Sequence, residues 1–236
     1  MRFCIVVNPN SGKNKSFKIF KIIEPILKTK KIYFELLQTD YKGHAIDMAN
    51  QLNIDDYDGI IIIGGDGTFH EIVSGLMTRK DGRKIPIGII PGGSGNSFLY
   101  DLNIKDPLAT LEKILNFKKR LIDVIEIKTL DEILYSINLV GWGFATDLGI
   151  LAEKYRWLGP NRYTIMALVE IIKNKTRNAT LIIDNKKINN QFTSIIGCNT
   201  KYVGKGMYIA PKASTNDGLL DLIVINGNLS RIKLFK

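Results

Sequence analysis

The sequence has 236 residues, of which 45% are apolar and 24% charged, and its formal net charge is +10. Such a composition excludes a disordered chain, and the length allows one large or two small globular domains. No apolar run approaches the ~20 residues that span a bilayer, and the N-terminal run Phe3–Val7 is too short for a signal-peptide core. The basic excess predicts an anionic partner.

Two further features of the sequence bear on the cellular compartment and on the kind of partner. Cys4 and Cys198 both lie in apolar, strand-like segments, which favours buried free thiols in a reducing compartment. The lysines are spread along the chain, and no arginine run interleaved with aromatic residues marks a nucleic-acid groove. We therefore expect no nucleic acid as a partner, which leaves nucleotide phosphates or an anionic membrane face.

The first half of the chain alternates strand-like and helix-like segments. Strands are predicted at Phe3–Val7, Ile32–Leu37, Ile60–Ile63 and Ile85–Ile90, and helices at Ser16–Leu27, at 45–52, from Phe69 onward and at Asp106–Phe117. Pro25 is expected to kink or end the first helix. The alternation predicts an α/β domain with a doubly wound parallel sheet, in which ligands bind at the carboxyl ends of the strands.

The segment Tyr57–Leu76 contains the strongest local motif. Its β-branched run is followed at once by Gly64-Gly65-Asp66-Gly67-Thr68, after which the apolar residues change to helical spacing. Glycines let backbone N–H groups approach a ligand, and the start of a helix favours phosphate. In such a loop Asp66 would hold a metal ion or accept a proton; the alternative is a structural turn in which Asp66 caps the helix. Neither the Walker A nor the Rossmann fingerprint fits this loop.

Two other predicted strands end in loops of similar character. Asn8-Pro9-Asn10-Ser11-Gly12-Lys13 follows the first strand, and Pro91-Gly92-Gly93-Ser94-Gly95-Asn96-Ser97 follows the strand at Ile85–Ile90. The second of these is again a glycine-rich turn between a strand and a helix, and two such loops are far less expected by chance than one. The first could cover a phosphate with its backbone donors and Lys13, or it could equally be an ordinary surface turn.

The second half has a different pattern, with short strands separated by turn residues. Strands are predicted at Leu121–Ile127, Ile133–Leu139, Ala179–Ile183, Phe192–Cys198, Met207–Ala210 and Leu219–Ile225. Only one helix is clear from the pattern, after Gly159-Pro160. The pattern predicts an all-β, antiparallel second domain, with the boundary near Arg120, so that the domains are 1–120 and 121–236.

The motifs NPNSGK, IIGGDGTFHEIVSGL, IPGGSGNS and DGLLDL, in that order, resemble the lipid kinases of the diacylglycerol kinase catalytic-domain family. This family includes diacylglycerol, sphingoid-base and ceramide kinases. The segment Gly141–Tyr163 is similar to the WGF…D…SEKYRxLG…R segment of the sphingosine and ceramide kinase branch, and the turn Thr39–Ala45 is similar to a turn of that branch. NAD kinases and phosphofructokinases share GGDGT. The resemblance implies their type of α/β fold, followed by an antiparallel β-sandwich.

The resemblance implies transfer of the γ-phosphoryl group of ATP, with Mg²⁺, to a lipid hydroxyl, and a nucleotide bound between the two domains. Asp66 would be the catalytic carboxylate, with Mg²⁺ near it, and Asp147 would bind the lipid head group. The implied ATP-binding residues are Asn8, Pro9, Gly12, Thr39, Gly64, Gly65, Gly67, Thr68, Glu71, Gly93, Ser94, Gly95, Asn96, Arg156, Arg162, Asp217 and Gly218.

The chain departs from this family pattern at two places. Sphingoid-base kinases carry a second acid two residues after the position of Asp147, where this chain has Gly149. That difference favours a neutral acceptor such as ceramide or diacylglycerol over a cationic sphingoid base. The resemblance also implies a further C-terminal segment, so the second domain is predicted to be incomplete. The expected location is cytoplasmic, with peripheral binding to an anionic membrane surface.

Two alternative functions remain open on the sequence. One is an NAD kinase-like enzyme. The PGGSGN loop and the EKYRWLG segment are evidence against it, because they resemble the lipid kinases. The other is a catalytically silent, basic module that binds nucleotide or membrane; the intact GGDG loop speaks against it and the short C-terminus for it.

Overall fold

The computed structural model describes residues 1–12, 14–93, 96–173, 175–203 and 206–227, without the side chains of residues 156, 159 and 160. Contacts divide the chain into two compact units. The first comprises Met1–Asn138 and Asn199–Leu219, and the second comprises Leu139–Cys198 and the segment from Leu220. This division is based on contacts and does not test the domain boundary near Arg120, which stays a prediction.

The first unit is built on a parallel sheet. Its elements begin with β1 (Arg2–Val7), α1 (Lys15–Thr29), β2 (Tyr33–Gln38), α2 (His44–Gln51), β3 (Gly59–Gly64), α3 (Asp66–Met77), β4 (Ile87–Pro91), α4 (Ser97–Asp101) and α5 (Pro107–Leu115), with a 3₁₀ turn at Ile54–Asp56. The strand order is β2-β1-β3-β4, and every neighbouring pair is parallel. The α/β fold predicted from the alternation is confirmed.

Alternate residues of the central strands enter two separate cores, one on each face of the sheet. Cys4 and Val6 of β1 join the core covered by α2 and α3. Ile5 and Val7 join the core covered by α1 and α5. Because both faces are covered by helices, the strands consist of continuous apolar residues rather than an alternating pattern. This is the doubly wound arrangement that the sequence predicts.

Pro25 lies inside α1, and of the two predicted outcomes, a kink or an end of the helix, the end does not occur, because the helix continues to Thr29. Proline removes one helical hydrogen bond and typically costs about 3 kcal/mol in a helix interior. Ile23 and Leu27, on either side of Pro25, are both fully buried against the sheet. Their packing therefore keeps the helix intact, since tertiary contacts supply most of the stability of helices in proteins.

The remaining elements contain the antiparallel strands. In chain order they are β5 (Ile125–Lys128), β6 (Ile133–Ser136), β7 (Leu139–Gly143), α6 (Phe144–Lys154), α7 (Arg162–Lys173), β8 (Arg177–Ile183), β9 (Lys186–Cys198), β10 (Tyr202–Val203), β11 (Met207–Tyr208) and β12 (Asp221–Asn226), with a 3₁₀ segment at Arg156–Asn161. The antiparallel second part is confirmed. The strand predicted at Ile133–Leu139 is in fact divided into β6 and the start of β7. The helix that is clear from the sequence is α7, and a further helix, α6, precedes it.

The sequence gave no clear signal for α6, for a physical reason. Ala152 is its only fully buried residue, so the helix shows little apolar periodicity, and Gly149 in its interior lowers helix propensity. The predicted start of β9 was also late. Residues Lys186–Gln191 are exposed and, except for Ile188, polar. They pair with β8 across the two-residue turn Asp184-Asn185, where both residues have positive φ.

In the second unit, β9 carries other strands on both of its edges. β12 and β7 both pair with Ser194, and β12 and β8 both pair with Phe192. A residue of one strand has only two edges, so β7 and β8 lie end to end on the same edge of β9. The first residue of β8, Arg177, is thereby brought beside the point where β7 ends and α6 begins.

The two cysteines are buried free thiols, as the sequence predicts. Burial, with a smaller contribution from the nearby carboxylate of Glu35, raises the pKa of Cys4 to about 12. Burial, with Asp221 nearby, raises the pKa of Cys198 to about 11. Both thiols are therefore protonated and unreactive near neutral pH. Among the described residues, no helix combines the length and apolar character needed to cross a membrane.

Gly75 marks the tightest contact between α2 and α3. A Cβ at this position would lie 2.5 Å from the carbonyl oxygen of Ile46 and 2.7 Å from the Cβ of Ala49. We expect Gly75→Ala to destabilise the protein by about 1–3 kcal/mol, although alanine alone favours a helix by about 1 kcal/mol. Denaturant unfolding measures this free energy. The matched control is Gly149→Ala in α6, where a Cβ meets nothing within 4 Å. The control should be neutral or stabilising, and equal effects of the two changes would contradict the prediction.

Candidate active site

Three loops begin at the same edge of the parallel sheet. Val7 at the end of β1 pairs with Ile63 of β3, and Gly64 pairs with Pro91 of β4. The loops that follow these strands therefore start side by side, at the carboxyl ends where α/β sheets bind ligands. Thr39, which follows β2, joins the same edge, since its backbone N–H donates to the carbonyl oxygen of Val7 at 3.0 Å.

The loops after β3 and β4 are locked together through their glycines. The backbone N–H groups of Gly92 and Gly93 both donate to the carbonyl oxygen of Gly64, at 2.8 and 2.9 Å. A Cβ on Gly93 would lie 2.4 Å from the Cα of Gly65. Only a residue without a side chain allows this approach. The backbones of the two glycine-rich loops are thus in direct contact.

Asn96 closes the loop after β4 in a left-handed conformation, with φ 53° and ψ 42°. Its Nδ2 donates to the carbonyl oxygen of Gly93 at 3.1 Å. Its Oδ1 is buried and has no hydrogen-bond partner within the described part of the chain. Ser94 and Gly95, two of the predicted ATP-binding residues, lie outside the described residues.

The loop after β1 packs against both of the others. Gly12 has a φ of +57°, and a Cβ there would lie 2.4 Å from the carbonyl oxygen of Gly92. Asn8 donates from Nδ2 to the hydroxyl oxygen of Thr68 at 3.3 Å, and its Oδ1 accepts from the backbone N–H of Asn10. Six predicted site residues from the three loops are in this way brought into contact: Asn8, Gly12, Gly64, Gly65, Thr68 and Gly93. Pro9, next to Asn8, lines a cavity of about 370 Å³ with α1 residues and Gln38.

Asp66 is the first residue of α3, but its side chain binds the start of another helix. Its Oδ2 accepts from the backbone N–H of Ser97 at 2.6 Å and its Oδ1 from that of Phe98 at 3.1 Å. The carboxylate therefore caps α4. Two backbone donors fix its orientation at the edge of the glycine loops. Gly67, beside it, is exposed, and a Cβ there would meet nothing within 4 Å, which indicates open space next to Asp66.

Glu71 has a structural role that sequence reasoning missed. From the second turn of α3 it accepts from the backbone N–H of Gly43 at 3.1 Å and from that of Ala45 at 3.3 Å. These are the donors at the start of α2, which the helix itself cannot satisfy. Glu71 thereby holds the turn that follows Thr39. Within this turn His44 accepts from the backbone N–H of Asp40 and stacks on Tyr41.

Asp217 and Gly218 form an exposed turn of the first unit. Gly218 has a φ of +70°, and its N–H donates to Asp123 Oδ2 at 2.8 Å. Asp217 Oδ1 accepts from the N–H of Leu219 at 3.0 Å. The predicted role of this pair in closing a nucleotide site stays a prediction.

The other predicted site residues belong to the second unit. Arg162 lies 3.6 Å from Glu153, and its Nε is buried without a hydrogen-bond partner among the residues that the structure describes. Asp147 forms an ion pair with Arg177 at 2.7 Å. The side chain of Arg156 lies outside the described residues. Sequence reasoning missed Arg177, because it stands alone at a strand start with no motif around it.

A site for Mg²⁺ depends on Asp66. The described residues contain no group of three or more His, Cys, Asp or Glu side chains that could hold a metal ion. Mg²⁺ in phosphate-transfer sites is commonly bound by only one or two carboxylates, together with substrate phosphates and water. The carboxylate of Asp66, fixed beside the open space at Gly67, fits a metal ion of this kind.

Comparison with known proteins assigns both parts of the chain. The family model of the diacylglycerol kinase catalytic domain matches residues 2–127, and that of the YegS C-terminal NAD kinase beta sandwich-like domain matches residues 138–236. The crystal structure of a diacylglycerol kinase from Bacillus anthracis str. Sterne is similar in fold, with a TM-score of 0.73 at 22% identity, over 100% of this chain and 76% of that one.

Curated relatives include kinases of sphingoid lipids. Sphingosine kinase 1 of Arabidopsis thaliana is 28% identical over 95% of this chain and 56% of its own length. Sphingoid long chain base kinase 4 of Schizosaccharomyces pombe is 36% identical over 68% of this chain and 36% of its own length. The chain thus spans about half or less of the length of these relatives.

Proposed function

Because the chain belongs to the diacylglycerol kinase catalytic-domain family, we propose that it transfers the γ-phosphoryl group of ATP to a hydroxyl group of a lipid. The observation that carries this proposal is the edge of the parallel sheet, where three glycine-bearing loops meet beside the fixed carboxylate of Asp66. The names of the curated relatives support a lipid as the acceptor.

The glycine loops suit the phosphates of the nucleotide. Gly67 leaves the backbone at the start of α3 open, since a Cβ there would meet nothing within 4 Å, and the first N–H groups of a helix have no partner within the helix. These donors and the helix dipole favour an anion. The buried Asn96 Oδ1 without a partner is an acceptor available to a ligand group that carries a proton. We therefore place the phosphates over the loops after β3 and β4.

Asp66 then serves as the residue that receives the proton of the acceptor hydroxyl. Its two bonds to Ser97 and Phe98 use one lone pair on each oxygen, so further lone pairs remain for a hydroxyl group. A positioned general base of this kind contributes roughly 10²–10⁴ in rate. Mg²⁺, when bound at Asp66 and the phosphates, would neutralise part of the phosphate charge.

The second unit offers an apolar surface for a lipid. Ile150 on α6, Trp157 in the 3₁₀ segment and Ile172 on α7 are 64%, 78% and 66% exposed. We propose that these three side chains, which come from consecutive elements, together form the surface on which the lipid chain packs. Within this proposal the acceptor is a sphingoid base, ceramide or diacylglycerol.

Peripheral binding to an anionic membrane is the second part of the proposal. The net charge of +10 attracts an anionic surface, and each lysine or arginine near it contributes about 1 kcal/mol. We expect binding to vesicles that contain phosphatidylserine to weaken by at least about tenfold between 50 and 500 mM salt. Sedimentation with the vesicles measures it, with phosphatidylcholine vesicles as the control. Binding that is independent of salt would exclude the electrostatic attachment.

The function is tested by transfer of labelled phosphate from ATP, with Mg²⁺, to a panel of acceptors: sphingosine, ceramide, diacylglycerol, monoacylglycerol and NAD. Label in a lipid supports the proposal and names the substrate. Label in NAD alone would show an NAD kinase-like enzyme instead. Binding of ATP without any transfer would support a catalytically silent module.

A further inference from the structure

Arg177 and Asp147 form a closely coupled ion pair in the second unit. Arg177 Nη2 donates to both oxygens of Asp147, at 2.9 and 2.7 Å. The two side chains are 35% and 23% exposed, and the guanidinium also lies 6.0 Å from the ring centre of Trp142. The guanidinium thus contacts the carboxylate and also lies over an aromatic ring, an arrangement that favours arginine over lysine.

The sheet topology explains why these residues meet. β7 and β8 occupy the same edge of β9. Gly143 at the end of β7 pairs with Ser194, and Arg177 at the start of β8 pairs with Phe192, two residues away along β9. Asp147 lies in the first turn of α6, directly after β7. The ion pair therefore joins the end of one strand, the start of the next and the helix between them.

The pair lies next to the apolar surface that we propose for the lipid. Ile150 is three residues after Asp147 on α6, and side chains with this spacing are neighbours on a helix surface. Ile150 is largely exposed. When the chain of a lipid packs on this apolar surface at Ile150, its polar head lies close to the Asp147–Arg177 pair.

We propose that Arg177 sets the head-group specificity of the enzyme by neutralising Asp147, so that the acceptor is a lipid with an uncharged head. This inference rests on the proposed function. An unpaired aspartate would attract the ammonium group of a sphingoid base. With the guanidinium bound to both carboxylate oxygens, an incoming ammonium meets a positive charge and must break an existing pair.

One polar atom supports an uncharged head directly. Arg177 Nη1 is buried and has no hydrogen-bond partner among the described residues. A buried donor without a partner is costly, and an amide, ester or hydroxyl oxygen of a lipid head would satisfy it. The free lone pairs of Asp147 accept from a hydroxyl or amide N–H. The pair therefore offers a donor and an acceptor with no net charge.

The test compares two acceptors that differ only at the nitrogen. Sphingosine and N-acetylsphingosine share the chain and the primary hydroxyl, but one carries an ammonium and the other an amide; a diacylglycerol serves as a second neutral acceptor. We expect wild-type kcat/KM to be higher for a neutral acceptor. Arg177→Met should shift the ratio of kcat/KM toward sphingosine by about tenfold or more, whereas Arg177→Lys, which keeps the charge, should retain the neutral preference.

Two controls separate specificity from stability. Arg83→Met removes an arginine that is paired with Asp55 in the first unit, and it should leave the ratio unchanged. If Arg177→Met does not fold, Arg177→Gln keeps hydrogen-bond donors without the charge and carries the same expectation.

Three results would overturn the inference while the kinase function stands: a wild-type preference for sphingosine, a ratio unchanged in the uncharged variants, or the same shift with Arg177→Lys. The absence of transfer to any lipid would overturn the proposed function itself, and the role of Arg177 with it.

Discussion

Asp66→Asn is expected to lower kcat for lipid phosphorylation by about 10²–10⁴ while the Kd of ATP, measured without Mg²⁺, changes by no more than about threefold. The two side chains have the same shape, so the asparagine oxygen can still accept from one of the two backbone N–H groups that the aspartate binds. The amide nitrogen cannot accept from the other. The variant therefore loses the base and the negative charge but keeps most of the local structure.

A matched control isolates the chemical role from the capping role. Asp106 caps α5, with its Oδ1 accepting from the backbone N–H of Ala109 at 2.7 Å. Asp106→Asn makes the same change at a helix start outside the glycine loops. Both variants should lose at most about 1 kcal/mol of stability, and only the change at Asp66 should lower kcat. Steady-state kinetics, ATP titration and thermal unfolding give the three readouts. A kcat near that of the wild type in Asp66→Asn would leave Asp66 as a helix cap and nothing more.

Local sequence patterns were sufficient to predict the sheet and the edge at which the glycine-rich loops begin. The apolar run Ile60–Ile63 and the helical face that begins at Phe69 are both buried as predicted. Strand period, helix period and glycine position are all properties of a few consecutive residues. Because the carboxyl ends of parallel strands share one edge, the loops that follow β1, β3 and β4 start side by side there.

The side-chain partners within the site could not be predicted, because they join residues distant in sequence. Asp66 binds N–H groups 31 and 32 residues away, and the partners of Glu71 are 28 and 26 residues away. Neither pairing leaves a periodic pattern. Arg177 is 30 residues from Asp147, and their meeting depends on the shared edge of β9. Such contacts follow from the topology of the chain, which single-sequence patterns specify only in part.

Gly93→Ala is expected to destabilise the protein by about 1–3 kcal/mol and to lower kcat/KM for ATP by about 10²-fold. The added Cβ would lie 2.4 Å from the Cα of Gly65 and 2.8 Å from Asn96 Oδ1. The closest obstacle is backbone, which cannot rotate away as a side chain can. The loops after β3 and β4 must therefore separate, and the hydrogen bonds from Gly92 and Gly93 to Gly64 lengthen.

The control for this change is Gly67→Ala, in which the new Cβ meets no heavy atom within 4 Å. Gly67 lies in α3, so alanine there should keep or slightly raise stability. Denaturant unfolding of the two variants therefore separates the contact between the loops from a general effect of adding a methyl group. ATP kinetics of Gly93→Ala then report whether that contact positions the phosphates, because separated loops no longer present their N–H groups together. A destabilised Gly93→Ala with unchanged kcat/KM would mean that the contact serves the fold alone and that the phosphates bind elsewhere.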